Sequence, residues 1–130
     1  MKKALMYASV ASMIQQFNMN NIKLLQELGY EVYVACNFEF GSTISNEKIS
    51  KLKEDLTNMN VKYYHIPVPR KISDFSNLYL SYKKTLKLMN ENKYNLIHCH
   101  SPIGGIICRI ANKHSKNYSN ARMIYTAHGF

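Results

Sequence analysis

Hydrophobic and polar residues follow two patterns along the chain, namely short apolar runs and longer stretches with helical spacing. The apolar runs predict strands, and the second of them, Glu31–Cys36, is rich in β-branched residues. They cover Lys3–Ala8, Glu31–Cys36, Val61–Ile66, Asn95–Cys99 and Arg122–Ala127. Between them, apolar residues recur every three or four positions, as along the buried face of a helix. The pattern therefore predicts five strands separated by four helices.

Polar residues and glycines mark the ends of the predicted helices. Ser12 is placed as an N-cap with Gln15 three residues later, which is the spacing of a capping box. Gly29 follows the first helix where a C′ residue is expected. The fourth helix is predicted to start at Ser101-Pro102, with serine as the cap and proline at the first helical position. The other two are predicted to begin at Ser45 and at Ser73 or Asp74.

The regular alternation of strand and helix is typical of a parallel sheet with helices on both faces. We therefore predict an α/β fold with a Rossmann-like parallel sheet of about five strands. No internal repeat, low-complexity segment or linker interrupts the 130 residues. Residues 1–130 are interpreted as a single domain, since this length is common for one domain.

The composition is basic, with 17 lysines and arginines against 8 acids and a formal net charge of +9. Such a balance favours an anionic partner, although a lysine-rich solubilising surface explains it as well. The arginines are Arg70, Arg109 and Arg122. Because proteins that read nucleic acid favour arginine for bidentate contacts, we expect no nucleic-acid partner.

The cysteines and the apolar segments indicate a cytoplasmic protein. Cys36, Cys99 and Cys108 are odd in number and fit no zinc spacing, which favours reduced, buried thiols. The N-terminus imitates a signal peptide, but Tyr7 and Ser9 interrupt its apolar core, so a first strand is the preferred interpretation. No apolar run approaches the roughly 18 residues of a membrane helix.

Candidate ligand-binding residues follow the first, fourth and fifth predicted strands. In open parallel sheets, ligands bind at the carboxyl ends of the strands, so these three loops are expected to converge. The first loop has no G-x-G-x-x-G motif, which argues against a dinucleotide site. The candidate residues are Ser9, Val10 and Ser12; His100, Ser101, Gly104 and Gly105; and His128 and Gly129.

Each of the first two loops has a functional and a structural interpretation. The hydroxyls of Ser9 and Ser12, with the free N–H groups of the next helix, suit an anion, but simple helix capping explains them too. Gly104 and Gly105 sit in a first helical turn, where each glycine costs about 1 kcal/mol relative to alanine. They are tolerated where a ligand comes close, or where a helix packs tightly on a sheet.

The histidines allow three interpretations. His98 and His100 share one face of a strand, and His128 is the conceivable third ligand of a metal hydrolase. No acidic residue follows a strand where it could complete such a site, so we expect no metal. We expect one member of the His98/His100 pair to be a satisfied, partly buried group. His128 stands at a strand end before a glycine, where it can donate a hydrogen bond or move a proton.

Four segments together resemble the N-terminal domain of family 4 glycosyltransferases. They are KALMYASVASMIQQF, LLQELGYEVYVAC, NLIHCHSPIGG and MIYTAHGF, and they span essentially the whole chain. The closest resemblance is to bacterial members that act in capsule, exopolysaccharide and lipopolysaccharide synthesis. The resemblance implies a retaining enzyme of the GT-B fold. Two Rossmann-like domains then face each other across a cleft, with the acceptor held mainly by the first and the nucleotide-sugar mainly by the second.

The resemblance also implies roles for individual residues. His128 corresponds to the catalytic histidine that reaches the cleft near the transferred sugar, and Gly129 to its neighbour. Ser9–Ser12 corresponds to the loop near the donor phosphates, although many members carry glycines there and this chain has none. His100–Gly105 corresponds to the acceptor-side wall. The nucleotide-sugar is then a substrate, and no cofactor is expected.

Glu31/Glu39 and Glu39/Glu47 have the spacing of the family's paired-glutamate donor motif, E-x(7)-E, but both pairs lie in the part of the chain that resembles the N-terminal domain and are not interpreted as the donor motif. We therefore expect that the C-terminal donor-binding domain is absent and that the chain is inactive alone. The expected partners are a glycan or lipid-linked acceptor, an anionic membrane surface on the cytoplasmic side and a donor-domain partner chain. Lys83, Lys84 and Lys87 are the candidates for contact with lipid.

Other functions remain open at this stage. The chain fits a non-catalytic subunit of a split glycosyltransferase that recruits a partner or a membrane. It also fits half of a nucleotide-sugar 2-epimerase, whose related fold likewise uses histidines at these strand ends. The third alternative is the metal hydrolase with His98, His100 and His128.

Overall fold

Five parallel strands form the centre of the molecule. The computed structural model of the chain describes residues 2–100, 102–116 and 121–126. The strands lie in the order β3-β2-β1-β4-β5, with β1 at Lys2–Val10, β2 at Tyr30–Asn37, β3 at Lys62–His65, β4 at Leu96–His100 and β5 at Arg122–Thr126. All four pairings are parallel. The predicted α/β, Rossmann-like fold is confirmed.

Helices connect the strands at the predicted places. The first connection comprises α1 (Ala11–Met13), a π-helical stretch (Ile14–Asn18) and α2 (Met19–Glu27). The others are α3 (Asn46–Asn58), α4 (Phe75–Asn92) and α5 (Pro102–His114). Ser45 and Asp74 cap α3 and α4 by accepting backbone N–H groups of Lys48 and Asn77. None of the helices in the described ranges is long and apolar enough to cross a bilayer.

Alternate side chains of the strands pack into two separate hydrophobic cores, one on each face of the sheet. Leu5 and Tyr7 of β1 point to the face covered by α4 and α5. Met6 and Ala8 point to the face covered by α2 and α3. Helices therefore cover both faces, as predicted. The three cysteines are buried, free thiols, which agrees with the sequence interpretation.

The end of β1 differs from the prediction. The strand continues through Val10 rather than ending at Ala8. Between the Tyr7–Ala35 and Val10–Asn37 pairs, β1 has one residue more than β2. This irregularity is a β-bulge, a feature that often re-aims side chains near functional sites. Ser9 therefore belongs to the strand end, and not to a loop.

The prediction that Ser12 is an N-cap is wrong. The helix begins at Ala11, and extended Val10 stands at the cap position without a side-chain hydrogen bond. Ser12 is buried in the first turn, where its Oγ accepts from the Thr43 N–H at 3.4 Å. Its own N–H donates to the Ser42 Oγ, also at 3.4 Å. Thr43, whose N–H donates to the Ser12 hydroxyl, lies 31 residues away in the chain, so local spacing could not reveal this contact.

Candidate functional site

A groove lies at the carboxyl edge of the sheet, where the direction of the strand order reverses between β1 and β4. Such a switch point is the usual ligand site of open α/β sheets. The groove has a volume of about 490 Å³, within the range of small-molecule sites. We call it the sheet-edge groove. It is lined by Ser9, Val10, Ser12, Met13, Gln16, Gly41, Thr43, Pro69, Arg70, Pro102 and Ile103.

Ser9 joins β1 to α5 across the switch point. Its Oγ accepts a hydrogen bond from the Gly104 N–H at 3.1 Å. Gly104 lies in the first turn of α5, where backbone N–H groups have no partner within the helix. Ser9 thus acts as a remote cap, and the bulge in β1 is what brings its hydroxyl to this position. The predicted residues Ser9, Val10 and Ser12 all line the groove.

The π-helical stretch shapes the wall formed by the first helix. π-helical turns are rare and are frequent at functional sites. Here the turn is stabilised by buried Asn18, whose Nδ2 donates to the Met13 carbonyl O at 2.8 Å. Met13 and Gln16 on this stretch contribute to the groove lining. Helical periodicity alone gave no sign of this local unwinding.

Arg70 supplies the charge of the groove and was not predicted as a site residue. Among the described residues that line the groove, it is the only charged one. Its stem packs over Gly41, since a Cβ built at Gly41 would lie 3.4 Å from Arg70 Cγ and 3.1 Å from Val10 Cγ1. Gly41 has a φ of 85°, which favours glycine. The signal that could have identified Arg70 is its position after β3, at the same sheet edge.

Buried Asn37, the last residue of β2, fixes two loops of the groove. Its Oδ1 accepts from the N–H groups of Glu39 and Phe40, both at 2.9 Å. Its Nδ2 donates to the Val68 carbonyl O at 3.1 Å. One side chain therefore orders both the loop after β2 and the loop after β3, and these loops carry Gly41 and Arg70 into the lining.

His65 supports the same loop from β3. Its Nδ1 accepts from the Phe38 N–H at 3.1 Å, and its Nε2 lies 3.3 Å from Glu39 Oε2. Burial lowers the pKa of His65, the Glu39 carboxylate opposes this effect, and Lys84 and Lys53 add to it. A neutral imidazole with its proton on Nε2 satisfies both contacts, because Nδ1 must be unprotonated to accept.

The two strand histidines, His98 and His100, are not among the residues that line the groove. The rings of His98 and His100 share one face of β4 with centroids 4.1 Å apart. His98 Nε2 lies 2.7 Å from Thr126 Oγ1, which fits the expectation of a satisfied, partly buried histidine. His100 is buried, with its Nε2 3.1 Å from Met6 Sδ. Within the described ranges, no three His, Cys, Asp or Glu side chains cluster as a metal site requires.

The glycines of α5 have packing roles. A Cβ on Gly105 would clash with Cε1 of Tyr125, so the ring of Tyr125 occupies the space a side chain would need. The structure thus supports the packing interpretation for Gly105. Gly104 is buried and donates its N–H to Ser9. The start of α5 is therefore next to the groove, and Pro102 and Ile103 are the residues of this helix that line it.

Three predicted site residues, Ser101, His128 and Gly129, lie outside the described residues. The catalytic role of His128 therefore stays a prediction. Thr126, the last residue of β5, pairs with His100 at the end of β4. The described part of β5 thus ends at the same sheet edge as β1 and β4.

Comparison with known sequences finds a family and a curated relative. The family described as Glycosyltransferase Family 4 matches residues 14–130. EpsD of Bacillus subtilis (strain 168), which is assigned as a glycosyltransferase, is 30% identical over 129 residues. The alignment covers 99% of this chain and 29% of EpsD, so the chain spans less than a third of the length of that relative.

Solved structures show the fold alone, since their identities are low. A glycosyltransferase from Rickettsia africae ESF-5 has a TM-score of 0.68 at 15% identity, with 99% of this chain and 30% of that chain covered. The C-terminal domain of a hydrogenase from Pyrococcus furiosus has a TM-score of 0.62 at 17% identity, with 96% and 91% covered. One fold thus serves different activities. The family assignment rests instead on the sequence match to the family. Because that match covers residues 14–130, which is all but the first 13 residues, the chain belongs to glycosyltransferase family 4.

Proposed function

We propose that the chain forms the acceptor-side part of a retaining glycosyltransferase in surface polysaccharide synthesis. The whole enzyme transfers a sugar from a nucleotide-sugar to a glycan or lipid-linked acceptor. The observation that carries this proposal is the sheet-edge groove at the β1/β4 switch point of a family 4 chain. The 30% identity to EpsD supports the same activity class.

The chemistry of the groove suits a phosphorylated ligand. The described lining has one cation, Arg70, no acid, and the hydroxyls of Ser9, Ser12 and Thr43. Guanidinium binds phosphate in a bidentate manner, and hydroxyls donate to phosphate or sugar oxygens. The diphosphate of a nucleotide-sugar and the phosphate of a lipid-linked acceptor share this chemistry. The apolar members Val10, Met13 and Ile103 suit a sugar ring face or the start of a lipid tail.

A titration of the isotope-labelled chain followed by NMR tests this proposal. The probes are a nucleoside diphosphate, its sugar ester and a short-chain polyprenyl phosphate. We expect amide shifts at Gly41, Gly104 and Arg70, and we expect Arg70→Gln to weaken binding about tenfold, because a charge-assisted hydrogen bond contributes about 1.5–3 kcal/mol. The matched control is Arg122→Gln, which removes an exposed arginine on β5. If no probe shifts the groove amides, the groove is not the ligand site.

A transfer assay tests the catalytic part. We propose that the chain needs a donor-binding polypeptide, because it spans 29% of the length of the related glycosyltransferase EpsD. Labelled nucleotide-sugar and lipid acceptor are incubated with the chain alone and with the chain plus a family 4 donor domain. Transfer only in the mixture, and its loss in His128→Ala, is the expected result. Transfer by the chain alone contradicts the requirement for a partner.

A further inference from the structure

Strand β3 lies at one edge of the sheet. Among the described strands, it pairs only with β2. All four of its residues, Lys62–His65, are partly or fully exposed, whereas Val32–Asn37 of the neighbouring strand are buried. A strand at a sheet edge presents a row of backbone groups with which another extended chain can pair.

The pairing with β2 shows which backbone groups of β3 face outward. The Ile66 N–H donates to the Cys36 carbonyl O at 3.0 Å, next to the register pair of Cys36 and His65. Backbone groups of successive residues in a strand point to opposite sides, so Tyr64 faces β2 as Ile66 does. The N–H and C=O groups of Tyr63 and His65 therefore point away from the sheet.

Two pockets flank this outer edge, one on each face of the sheet. The first lies between β3 and α4, has a volume of about 240 Å³, and is called the α4 pocket here. Its lining includes Tyr64, His65, Lys84, Lys87, Leu88 and Glu91. The second, the α3 pocket, has a volume of about 520 Å³ and is lined by Thr57 and Asn60 near the end of α3 and by Tyr63. Because successive side chains of a strand point to opposite faces, a strand added beside β3 places alternate side chains in the two pockets.

Positive charge predominates in the two pockets. Three lysines, Lys62, Lys84 and Lys87, stand against one acid, Glu91, which gives a net charge of +2. Lys87 Nζ lies 3.9 Å from Glu91 Oε1. Within the described ranges, neither Lys62 nor Lys84 takes part in an ion pair.

This charge identifies the kind of chain that fits the edge. A segment that carries carboxylates is complementary to the unbalanced lysines. A second copy of the chain is not complementary, because two β3 strands paired about a twofold axis would bring the same lysines close together.

We propose that β3 binds an extended acidic segment of another protein, which joins the sheet as an additional strand. The backbone of this segment pairs with the outward N–H and C=O groups of Tyr63 and His65. Its acidic side chains enter the α4 pocket and approach Lys84, and the side chains on its other face enter the α3 pocket. In this mode of recognition, main-chain hydrogen bonds supply affinity and pockets for alternate side chains supply specificity.

The strand edge is separate from the sheet-edge groove, so this inference goes beyond the proposed function. Among the described residues, the two pockets share no lining residue with that groove. Strands β2 and β1 lie between β3 and the switch point. An acidic segment and a phosphorylated ligand can therefore bind at the same time.

Hydrogen exchange measured by NMR tests the backbone pairing. The probe is a short blocked peptide of alternating glutamate and valine. At a peptide concentration of about ten times Kd, the Tyr63 and His65 amides should exchange about tenfold more slowly. The Tyr64 amide faces β2 and should change little, which makes it the internal control. The matched control peptide has the same sequence but is N-methylated at every residue, so it keeps its side chains and loses its N–H donors. We expect no slowing with this peptide.

Charge reversal tests the nature of the occupant. Lys84→Glu should weaken binding of the glutamate–valine peptide about tenfold, because it replaces a surface attraction with a repulsion. The same variant should bind a lysine–valine peptide more tightly than the unchanged chain does. The matched control, Lys113→Glu, makes the same change in charge on α5 and should leave both affinities nearly unchanged. Both lysines are exposed, so circular dichroism should show an unchanged fold.

Three results would overturn the proposal. The first is no slowing at the Tyr63 and His65 amides with peptide at about 1 mM. The second is equal slowing by the N-methylated peptide, or equal losses in the two charge variants, which would show non-specific attraction by net charge. The third is slowing of the same two amides as the protein concentration rises without peptide, which would make a second copy the occupant. Peptide binding can fail while sugar transfer succeeds, so the two proposals fail separately.

Discussion

Asn37→Ala should destabilise the protein because it removes three buried hydrogen bonds at once. The Asn37 side chain accepts from the Glu39 and Phe40 N–H groups and donates to the Val68 carbonyl O. A typical buried hydrogen bond contributes about 1 kcal/mol net, so the free energy of unfolding should fall by about 3 kcal/mol. With a urea slope of about 1.5 kcal/mol per M, the midpoint should fall by about 2 M.

Urea denaturation followed by circular dichroism measures this loss, and Asn58→Ala is its control. Asn58 is the exposed last residue of α3, so its removal should change stability by less than about 0.5 kcal/mol. Hydrogen exchange distinguishes a local release of the loops after β2 and β3 from a general loss of stability. Hydrogen exchange at the Glu39 and Phe40 amides should accelerate beyond the global change. If Asn37→Ala matches Asn58→Ala in both measurements, Asn37 does not hold the two loops.

Three further changes test the packing and the protonation around the sheet edge. Gly105→Ala should cost about 1–2 kcal/mol, because overpacking against Tyr125 exceeds the roughly 1 kcal/mol gained in helix propensity. A thermodynamic cycle with Tyr125→Ala should show coupling above about 0.5 kcal/mol, and additive losses would contradict the contact. Ser9→Ala should cost about 1 kcal/mol in urea denaturation, as for a lost cap, whereas exposed Ser50→Ala should not. Burial lowers the pKa of His65, so the unfolded chain binds more protons and stability should fall as the pH drops below about 6.5. His65→Asn should reduce this slope between pH 7.5 and 5.5, and an unchanged slope would refute the role of His65.

The sequence predicted the fold well because hydrophobic periodicity decides it locally. The five apolar runs became five strands, and Ser45, Asp74 and Gly29 stand at the helix ends assigned to them. The exceptions arise where a distant partner decides the local structure. Ser9 stays in β1 because β2 pairs with the strand across a bulge. Ser12 bonds to the 42–43 segment and not to its own helix.

The candidate site was predicted only in outline. Strand-end reasoning led to the sheet edge at which the groove lies, and the predicted residues Ser9, Val10 and Ser12 are among those that line it. The same reasoning included His100 and Gly105, whose surroundings are the Met6 sulfur and the Tyr125 ring. These neighbours are 94 and 20 residues away along the chain, so no local pattern could distinguish a ligand contact from packing. Arg70 was missed for the same reason, since its place in the groove lining depends on packing of its side-chain methylenes against Gly41, 29 residues earlier in the chain.

For the phosphate ligand proposed above, the use of Ser9 as a cap bears on which group at this edge would bind the anion. The start of α5 is a natural anion site, because first-turn N–H groups and the helix dipole favour negative charge. However, Pro102 has no N–H, and the Gly104 N–H already donates to Ser9. Of the first three residues of α5, only Ile103 then has an N–H without a hydrogen bond to Ser9 or a proline ring, so we expect the Arg70 guanidinium to supply most of the attraction. It follows that Arg70→Gln should weaken phosphate binding far more than Ser9→Ala, which frees the Gly104 N–H for the ligand. The reverse order of affinities would place the anion at α5 and not at Arg70.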